Sequence, residues 1–194
     1  LAEIALQSFL DPSLRPDVAI QNAGGVRVPI KAGPISMGDA FAVLPFTNLL
    51  IELPLTGAQI ADSLEEAVAY YLDAGHGSGG SHPYAAGLRW HLDLRQPRGQ
   101  RFSRIEIKDR ASGAWSAIDP ARSYIVVTYD YTALGQDGYA TFGTVYVSGN
   151  YVNSYLLYTQ AVVDHIRARG TVDRPAAGDY AHQSVITSDG RVLP

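Results

Sequence analysis

The stretch from residue 87 to residue 118 constrains the fold most strongly. Three β-patterns follow one another there, "GLRWHLDLR", "RFSRIEIKD" and "AWSAI", and the first alternates apolar with polar residues. Only "QPRGQ" and "RASG" separate them, and connections this short join antiparallel strands but cannot hold crossover helices. A doubly wound parallel fold is therefore the weaker alternative. The pattern predicts an α+β domain with a mostly antiparallel or mixed sheet flanked by helices.

Helix signals are strongest after Thr56. Thr56 and Gln59 have capping-box spacing, one face of the following segment stays apolar, and Gly75 comes just past its end. Ser36 with Asp39 predicts a shorter helix that stops before Pro45. Further helices are predicted in "LAEIALQSFL" and "VNSYLLYTQAVVDHIRARG", strands in "DVAIQN", "LLIELPL" and "SYIVVTYDY", a loop in "HGSGGSHPY", and irregular structure in the tail from "TVDRPAAG" onward.

Length and composition narrow the function. The 194 residues predict a single domain over 1–194 without internal repeats. The net charge of −4 argues against a nucleic-acid backbone as partner, but a small phosphorylated ligand needs only one or two arginines. Without cysteine there is no disulfide or thiolate metal site, which suits a periplasmic location. No apolar run reaches membrane-spanning length, and the chain opens inside a helical pattern, so we expect a fragment of a longer protein.

The segment "QNAGGVR" follows a predicted strand. Gly24 and Gly25 would let a ligand approach the main chain, and exposed N–H groups there can hold an anion. Arg27 could then grip a phosphate through two hydrogen bonds. A tight turn followed by a surface arginine explains the same residues, so the motif alone leaves both interpretations open.

Two further motifs carry an aromatic ring or an acid. Phe46 in "LPFTN" could be a core residue or a platform for a ligand. Asp137 in "YTALGQDGY" lies between two glycines, where a carboxylate could accept the hydroxyls of a ribose or simply bond its own backbone. Together with Tyr131 and the glycine segment, these motifs match the phosphate, base and sugar of a nucleotide. The two rings could sandwich the base.

The motifs "NAGGVR", "LPFTN", "LTGAQI", "YAAGLRW" and "YDYTALGQDGY" occur in this order. As a set they closely resemble the C-terminal domain of the 5′-nucleotidase family, which includes periplasmic UDP-sugar hydrolases and ecto-5′-nucleotidases. The resemblance extends from the opening helix to about Gly170. It implies that this domain binds the base and sugar of a nucleotide. It also implies a periplasmic or secreted enzyme, whose N-terminal metallophosphoesterase domain holds two divalent metal ions and performs catalysis.

The resemblance assigns roles residue by residue. Asn22 opens the glycine motif near the base or sugar, and Arg27 reaches the sugar and phosphate. Phe46 and Tyr131 are the stacking rings, and Asp137 binds the ribose hydroxyls. The full implied substrate-binding set is Asn22, Gly24, Gly25, Arg27, Phe46, Asn48, Gly87, Tyr131 and Asp137.

Three positions depart from the family pattern. Ala23 replaces a glycine of the family motif, which adds only one methyl group. Gln136 also replaces a glycine, which requires a tolerable backbone angle there. Tyr131 stands where phenylalanine is usual, and its hydroxyl can add a polar contact.

The family's metal-binding motifs, Asp-x-His, Gly-Asn-His-Asp/Glu and Gly-His-x-His, do not occur in the sequence. His76 and His82 flank "GSGGS" and are the one histidine pairing that suggests a metal, although mobile loop histidines are more common. We therefore expect no catalytic residue, metal or cofactor in this chain and no hydrolysis by it alone. Two alternatives are a stand-alone nucleotide-binding module and the substrate domain of a phosphoesterase with a non-nucleotide substrate.

Overall fold

The computed structural model describes residues 7–9, 16–75 and 79–193. Besides the helical residues 7–9, these residues form ten strands and five α-helices, with three short 3₁₀ turns between them. The strands are β1 (Val18–Asn22), β2 (Leu49–Thr56), β3 (Pro83–Ala86), β4 (Leu88–Asp93), β5 (Phe102–Lys108), β6 (Trp115–Ala117), β7 (Ser123–Tyr129), β8 (Val152–Leu157), β9 (His182–Ile186) and β10 (Val192–Leu193), and the helices are α1 (Met37–Val43), α2 (Gly57–Leu72), α3 (Asp130–Ala133), α4 (Ala140–Val147) and α5 (Tyr158–Arg169).

The strands form two mixed five-stranded sheets. Sheet A has the order β3-β1-β7-β2-β8, and sheet B has the order β10-β9-β4-β5-β6. Strand β1 runs parallel to β7, and β4 runs parallel to β9, whereas the other described pairings are antiparallel. The predicted α+β class with a mixed sheet is confirmed. The turns between β4, β5 and β6 do join antiparallel neighbours, as their length required.

Sheet A lies at the centre of the described fold because both of its faces are covered. Apolar side chains of one face pack with α2, α4 and sheet B, including the fully buried Trp90 of β4. The opposite face packs against α1 and α5, where Tyr158 is fully buried. Alternating residues of one strand therefore enter two different cores, which is why the central strands are mostly apolar.

Helices α1 and α2 begin with the predicted capping boxes. The hydroxyl of Ser36 accepts the Asp39 N–H at 3.2 Å, while the Asp39 carboxylate accepts the Ser36 N–H at 2.8 Å. Thr56 and Gln59 make the same reciprocal pair at 3.2 and 2.9 Å. Each pair satisfies two N–H groups that the first helical turn leaves without partners. Both helix starts are confirmed.

The predicted helix from Val152 is wrong in its first six residues. Residues Val152–Leu157 form β8 at the edge of sheet A, and helix α5 begins only at Tyr158. Strand β2 pairs with β7 on one side and with β8 on the other. Residues Val152–Leu157 therefore supply hydrogen-bond partners to an edge of β2 that would otherwise be unpaired. Tertiary pairing thus outweighs a local helical pattern.

Other sequence expectations were also wrong or incomplete. The tail contains β9 and β10, and the last two residues of the predicted loop "HGSGGSHPY" begin β3, which pairs with β1. Helices α3 and α4 carried no recognised signal. Residues 7–9 are helical, as predicted for the opening segment, and the rest of that predicted helix lies outside the described residues.

Candidate nucleoside-binding site

Asn22 and Asp137 meet at one edge of sheet A. Strands β1 and β7 run parallel, with Val18 opposite Val126, so the segments that follow them leave the sheet on the same side. The side-chain amide of Asn22 donates to Asp137 Oδ2 at 2.6 Å. Two predicted site residues that are 115 positions apart in sequence are therefore in direct contact.

The turn that carries Asp137 depends on its glycines. Gly135 and Gly138 have φ of 85° and 83°, and Asp137 itself is left-handed with φ 55°. Few residues other than glycine adopt this region, and aspartate is among those that do. A Cβ on Gly138 would lie 2.6 Å from the Cβ of Tyr70 on α2, so the turn is pressed against that helix. Gln136 is not among the described residues with positive φ, which explains why a glycine is dispensable there.

Tyr131 holds the other oxygen of the same carboxylate. Its hydroxyl donates to Asp137 Oδ1 at 3.0 Å. Burial, followed by the hydrogen bond to Asp137, raises the pKa of Tyr131, so its phenol remains a protonated donor at neutral pH. Tyr131 as a whole is still 41% exposed, which leaves it available to a ligand. The hydroxyl that distinguishes this chain from the family's usual phenylalanine is thus bonded to the predicted ribose-binding acid.

Tyr129 is a site residue that the sequence analysis missed. Its buried hydroxyl donates to Asn22 Oδ1, on the side of the amide opposite Asp137. Burial raises the pKa of Tyr129 well above its usual value, and nearby acidic groups raise it further. The predicted strand "SYIVVTYDY" ran on to Tyr131, whereas β7 ends at Tyr129 and helix α3 begins at Asp130. Nothing local in the sequence indicated that the Tyr129 hydroxyl reaches another strand.

The glycines of "NAGG" make room for the protein's own atoms. A Cβ on Gly25 would lie 2.6 Å from the Tyr129 hydroxyl, and one on Gly24 would lie 3.3 Å from the carbonyl oxygen of Gly80. The N–H of Ala23 donates to the His82 carbonyl, and that of Gly24 donates to the Gly80 carbonyl, both at 2.8 Å. The interpretation of this loop as an exposed anion nest is therefore wrong for these two N–H groups. The roles of Gly24 and Gly25 in substrate binding stay predictions.

Arg27 and Phe46 lie side by side at the surface. The Arg27 guanidinium donates to the Gly24 carbonyl at 3.0 Å and lies 6.0 Å from the centroid of the Phe46 ring. Phe46 is 48% exposed, so it is not a core residue. Its N–H donates to the Tyr158 hydroxyl at 3.0 Å, and burial raises the pKa of Tyr158 to about 12.

A row of tyrosines connects the two exposed rings. Tyr158 packs against Tyr129 with ring centroids 5.5 Å apart, and Tyr129 stacks on Tyr131 at 6.4 Å. Because Tyr158 also holds Phe46, the two predicted base-stacking rings belong to one continuous set of contacts. Asn48 is part of the same segment, since its carbonyl accepts the Tyr158 N–H at 3.0 Å.

Gly87 does not join this cluster. Pro83 lies opposite Asn22 and Ala86 opposite Ala19, so Gly87 follows at the far end of β3. Four residues of extended chain separate it from the level of Asn22 by about 13 Å. Gly87 instead lines a cleft of about 450 Å³ together with Lys108 and Trp115. Its role near the base stays a prediction, and none of the contacts described around Asp137 involves Gly87.

His82 pairs with a residue that the sequence did not suggest. Its Nε2 lies 2.8 Å from Nε2 of His182 on β9, and the Tyr71 hydroxyl lies 3.0 Å from its Nδ1. Burial lowers the pKa of His82 to about 4; burial and then His82 lower that of His182 to about 3. The proposed partner His76 lies outside the described residues. The described part of the chain contains no group of three or more His, Cys, Asp or Glu arranged for a metal.

The family follows from comparison with known proteins. A sequence model described as "5'-nucleotidase, C-terminal domain" matches residues 2–144. The chain therefore belongs to the C-terminal domain family of 5′-nucleotidases. A probable 5′-nucleotidase of Treponema pallidum is 35% identical over 154 residues, which are 78% of this chain and 25% of that protein.

Solved structures agree with this assignment. The NAD nucleotidase of Haemophilus influenzae superposes with a TM-score of 0.79 at 31% identity, over 87% of this chain and 30% of its own. A 5′-nucleotidase precursor from Thermus thermophilus gives a TM-score of 0.80 at 27% identity, over 91% and 34%. The chain spans about a quarter to a third of the length of these relatives. Within the described residues, no helix is both long enough and apolar enough to cross a membrane.

Proposed function

We propose that this domain recognises the nucleoside part of a nucleotide for a 5′-nucleotidase that releases nucleoside and phosphate. The observation that carries the proposal is the Asp137 carboxylate, held by Asn22 at 2.6 Å and by Tyr131 at 3.0 Å beside an exposed ring. A carboxylate has about four acceptor sites, so two remain for the hydroxyls of a ribose. The names of the relatives support a nucleotide as substrate class.

The remaining parts of the nucleotide have matching groups. The exposed rings of Phe46 and Tyr131 offer faces on which a base stacks, worth roughly 1–3 kcal/mol per base. The Arg27 guanidinium lies beside Phe46, where it would meet the phosphate side of a ligand stacked there. Stacking tolerates every base, so these contacts favour the nucleoside class without selecting one base.

Catalysis belongs, in this proposal, to a metallophosphoesterase domain of the same polypeptide with two divalent ions. The relatives are three to four times longer than the part matched here, which leaves room for such a domain. Binding energy from the base and sugar would then position the phosphate at the ions. We include a periplasmic or secreted location in the proposal, which the absence of cysteine suits.

Calorimetric titration of the 194-residue chain tests the proposal. We expect adenosine to bind at millimolar or better affinity and 2′,3′-dideoxyadenosine to bind at least about tenfold more weakly, because a hydrogen bond to a charged group contributes roughly 1.5–3 kcal/mol. Asp137→Ala should abolish this difference. Equal affinity for the two nucleosides would contradict the role of Asp137.

Phe46→Ala tests the stacking role in an enzyme that contains this domain. KM for the nucleotide should rise at least about fivefold because one stacking face, worth roughly 1–3 kcal/mol, is lost. Phe41 on α1 is a matched control, since it is 46% exposed against 48% for Phe46 and has no proposed contact. An equal rise in KM for Phe41→Ala would show that the effect is not specific to Phe46.

A further inference from the structure

The orientation of the Asn22 side chain decides whether Asp137 is supported or repelled. The amide has a donating end and an accepting end of nearly the same shape. In the structure its NH₂ group faces Asp137 Oδ2 at 2.6 Å. A flipped amide would instead present its oxygen to the carboxylate, and two acceptors would then face each other.

Among the hydrogen bonds described for the Asn22 side chain, only the one from Tyr129 reaches its accepting oxygen, Oδ1. The Tyr129 hydroxyl donates to Asn22 Oδ1 from a residue that is 1% exposed. The ring is held between Tyr158 and Tyr131. The missing side chain of Gly25 leaves the space that the hydroxyl occupies. The donor is therefore fixed in place by packing on several sides.

We propose that Tyr129 is a positioning residue for sugar recognition: it orients the Asn22 amide so that Asn22 holds the Asp137 carboxylate. The inference rests on the proposed nucleoside-binding function. Tyr129 touches no ligand in this scheme. It acts only through Asn22, and so its effect is confined to ligands that use Asp137.

Tyr129→Phe tests the inference because it keeps the ring and removes the donor. We expect the 194-residue chain to bind adenosine about threefold to tenfold more weakly and 2′,3′-dideoxyadenosine with unchanged affinity. In an Asn22→Ala background the same substitution should have no further effect on adenosine binding, since residues that act through one another are not additive. A loss of the same size for both nucleosides, or a full further loss in the Asn22→Ala background, would overturn the inference.

Tyr139→Phe is the matched control. Tyr139 is also fully buried, and its hydroxyl donates to the carbonyl of Ser81 at 3.1 Å. Both variants lose one buried hydrogen bond and should lose similar free energy of unfolding. Only Tyr129→Phe should change the ratio of adenosine to dideoxyadenosine affinity. A change in that ratio for Tyr139→Phe would show that any buried hydroxyl has this effect, and would overturn the inference.

A readout without ligand separates this inference from the proposed function. NMR of the Asn22 side-chain NH₂ in the ligand-free chain should show two distinct resonances and slow hydrogen exchange in the wild type and in Tyr139→Phe. Tyr129→Phe should shift these resonances and speed their exchange. If no nucleoside binds but this pattern holds, the proposed function fails and the positioning of Asn22 stands. If Tyr129→Phe leaves the resonances unchanged, the positioning role fails whatever binds.

Discussion

Two glycine-bearing loops build the candidate site, and glycine serves a different purpose in each. In residues 23–25 the glycines are absent from the set with positive φ, and they are needed because Gly80 and Tyr129 approach closely. In residues 135–138, Gly135 and Gly138 adopt left-handed angles that other residues rarely take. The first loop is thus limited by space and the second mainly by backbone conformation, although both appear in the sequence as a pair of glycines beside a polar residue.

The two loops also rest on different supports. The first is hydrogen-bonded to the carbonyls of Gly80 and His82, so it depends on the buried histidine pair. The second is pressed against Tyr70 of α2. Conditions that disturb one support should leave the other largely intact, and the following predictions use that difference, from the largest expected effect to the smallest.

Acid should weaken the first loop most. The pKa values of His82 and His182 are about 4 and about 3 in the folded protein, below the usual 6.5. The unfolded chain therefore binds protons that the folded chain excludes, so stability is complete above about pH 7 and falls as pH drops through 6.5 toward 3. The pair faces Tyr71, Tyr84 and Trp90. We expect the free energy of unfolding to fall by about 3 kcal/mol or more between pH 7 and pH 4 because of this histidine pair.

Urea unfolding across this pH range measures the loss, and His182→Gln should flatten it. His91→Gln is the control, because it leaves the pair intact and should keep the slope. As pH falls, the protection factors against hydrogen exchange should drop at the N–H groups of Ala23 and Gly24 before they drop at Tyr139, whose N–H donates to the Gln136 carbonyl in the second loop. An equal drop in protection at both loops would contradict separate supports.

Gly138→Ala should be the most damaging glycine substitution in the site. The new Cβ would meet Tyr70 at 2.6 Å, and the backbone there has φ 83°. Overpacking costs about 1–3 kcal/mol and left-handed strain about 1–2 kcal/mol, so we expect a loss of about 2–5 kcal/mol of unfolding free energy. Gly149→Ala is the control, since Gly149 has φ 80° and open space around it. A loss no larger than that of Gly149→Ala would rule out the contribution of the Tyr70 contact.

Gly25→Ala should cost about 1–3 kcal/mol of unfolding free energy through overpacking alone. The substituted Cβ would meet the Tyr129 hydroxyl at 2.6 Å. Removing that oxygen should relieve the contact, so Gly25→Ala combined with Tyr129→Phe should lose less than the sum of the two single variants. Strict additivity in a double-mutant cycle would show that the contact does not limit this position.

Gln136→Gly should have the smallest effect. It restores the family's glycine, but the left-handed angle falls on Asp137 rather than on Gln136. We expect a loss of about 0–1 kcal/mol, from the added flexibility of the unfolded chain. A clear gain in unfolding free energy would mean that Gln136 is strained.

Local signals predicted the parts of the fold that local interactions determine. The capping boxes at Ser36 and Thr56 and the antiparallel strands between residues 87 and 118 were readable because each depends on neighbours in sequence. Strands β8 and β9 were not, because each forms by pairing with a distant strand. Their sequences carry no pattern strong enough to specify that pairing.

The same distinction holds for the site. The resemblance identified Asn22, Phe46, Tyr131 and Asp137, and the structure brings the acid, the amide and one ring into direct contact. The sequence could not reveal the role of Tyr129, because a tyrosine at the end of an apolar strand is typical of core filling. The pairing of His82 with His182 spans 100 residues and has no sequence signature.

The hydrogen bond between Asn22 and Asp137 has a consequence for how the chain folds. Its partners lie 115 residues apart and meet only when β1 has paired with β7. Closing so long a loop comes late, because its entropy cost must be met before the contact forms. A partly folded chain would therefore have helix α2 but not the proposed binding site. A ligand bound by both residues, as proposed, would slow unfolding.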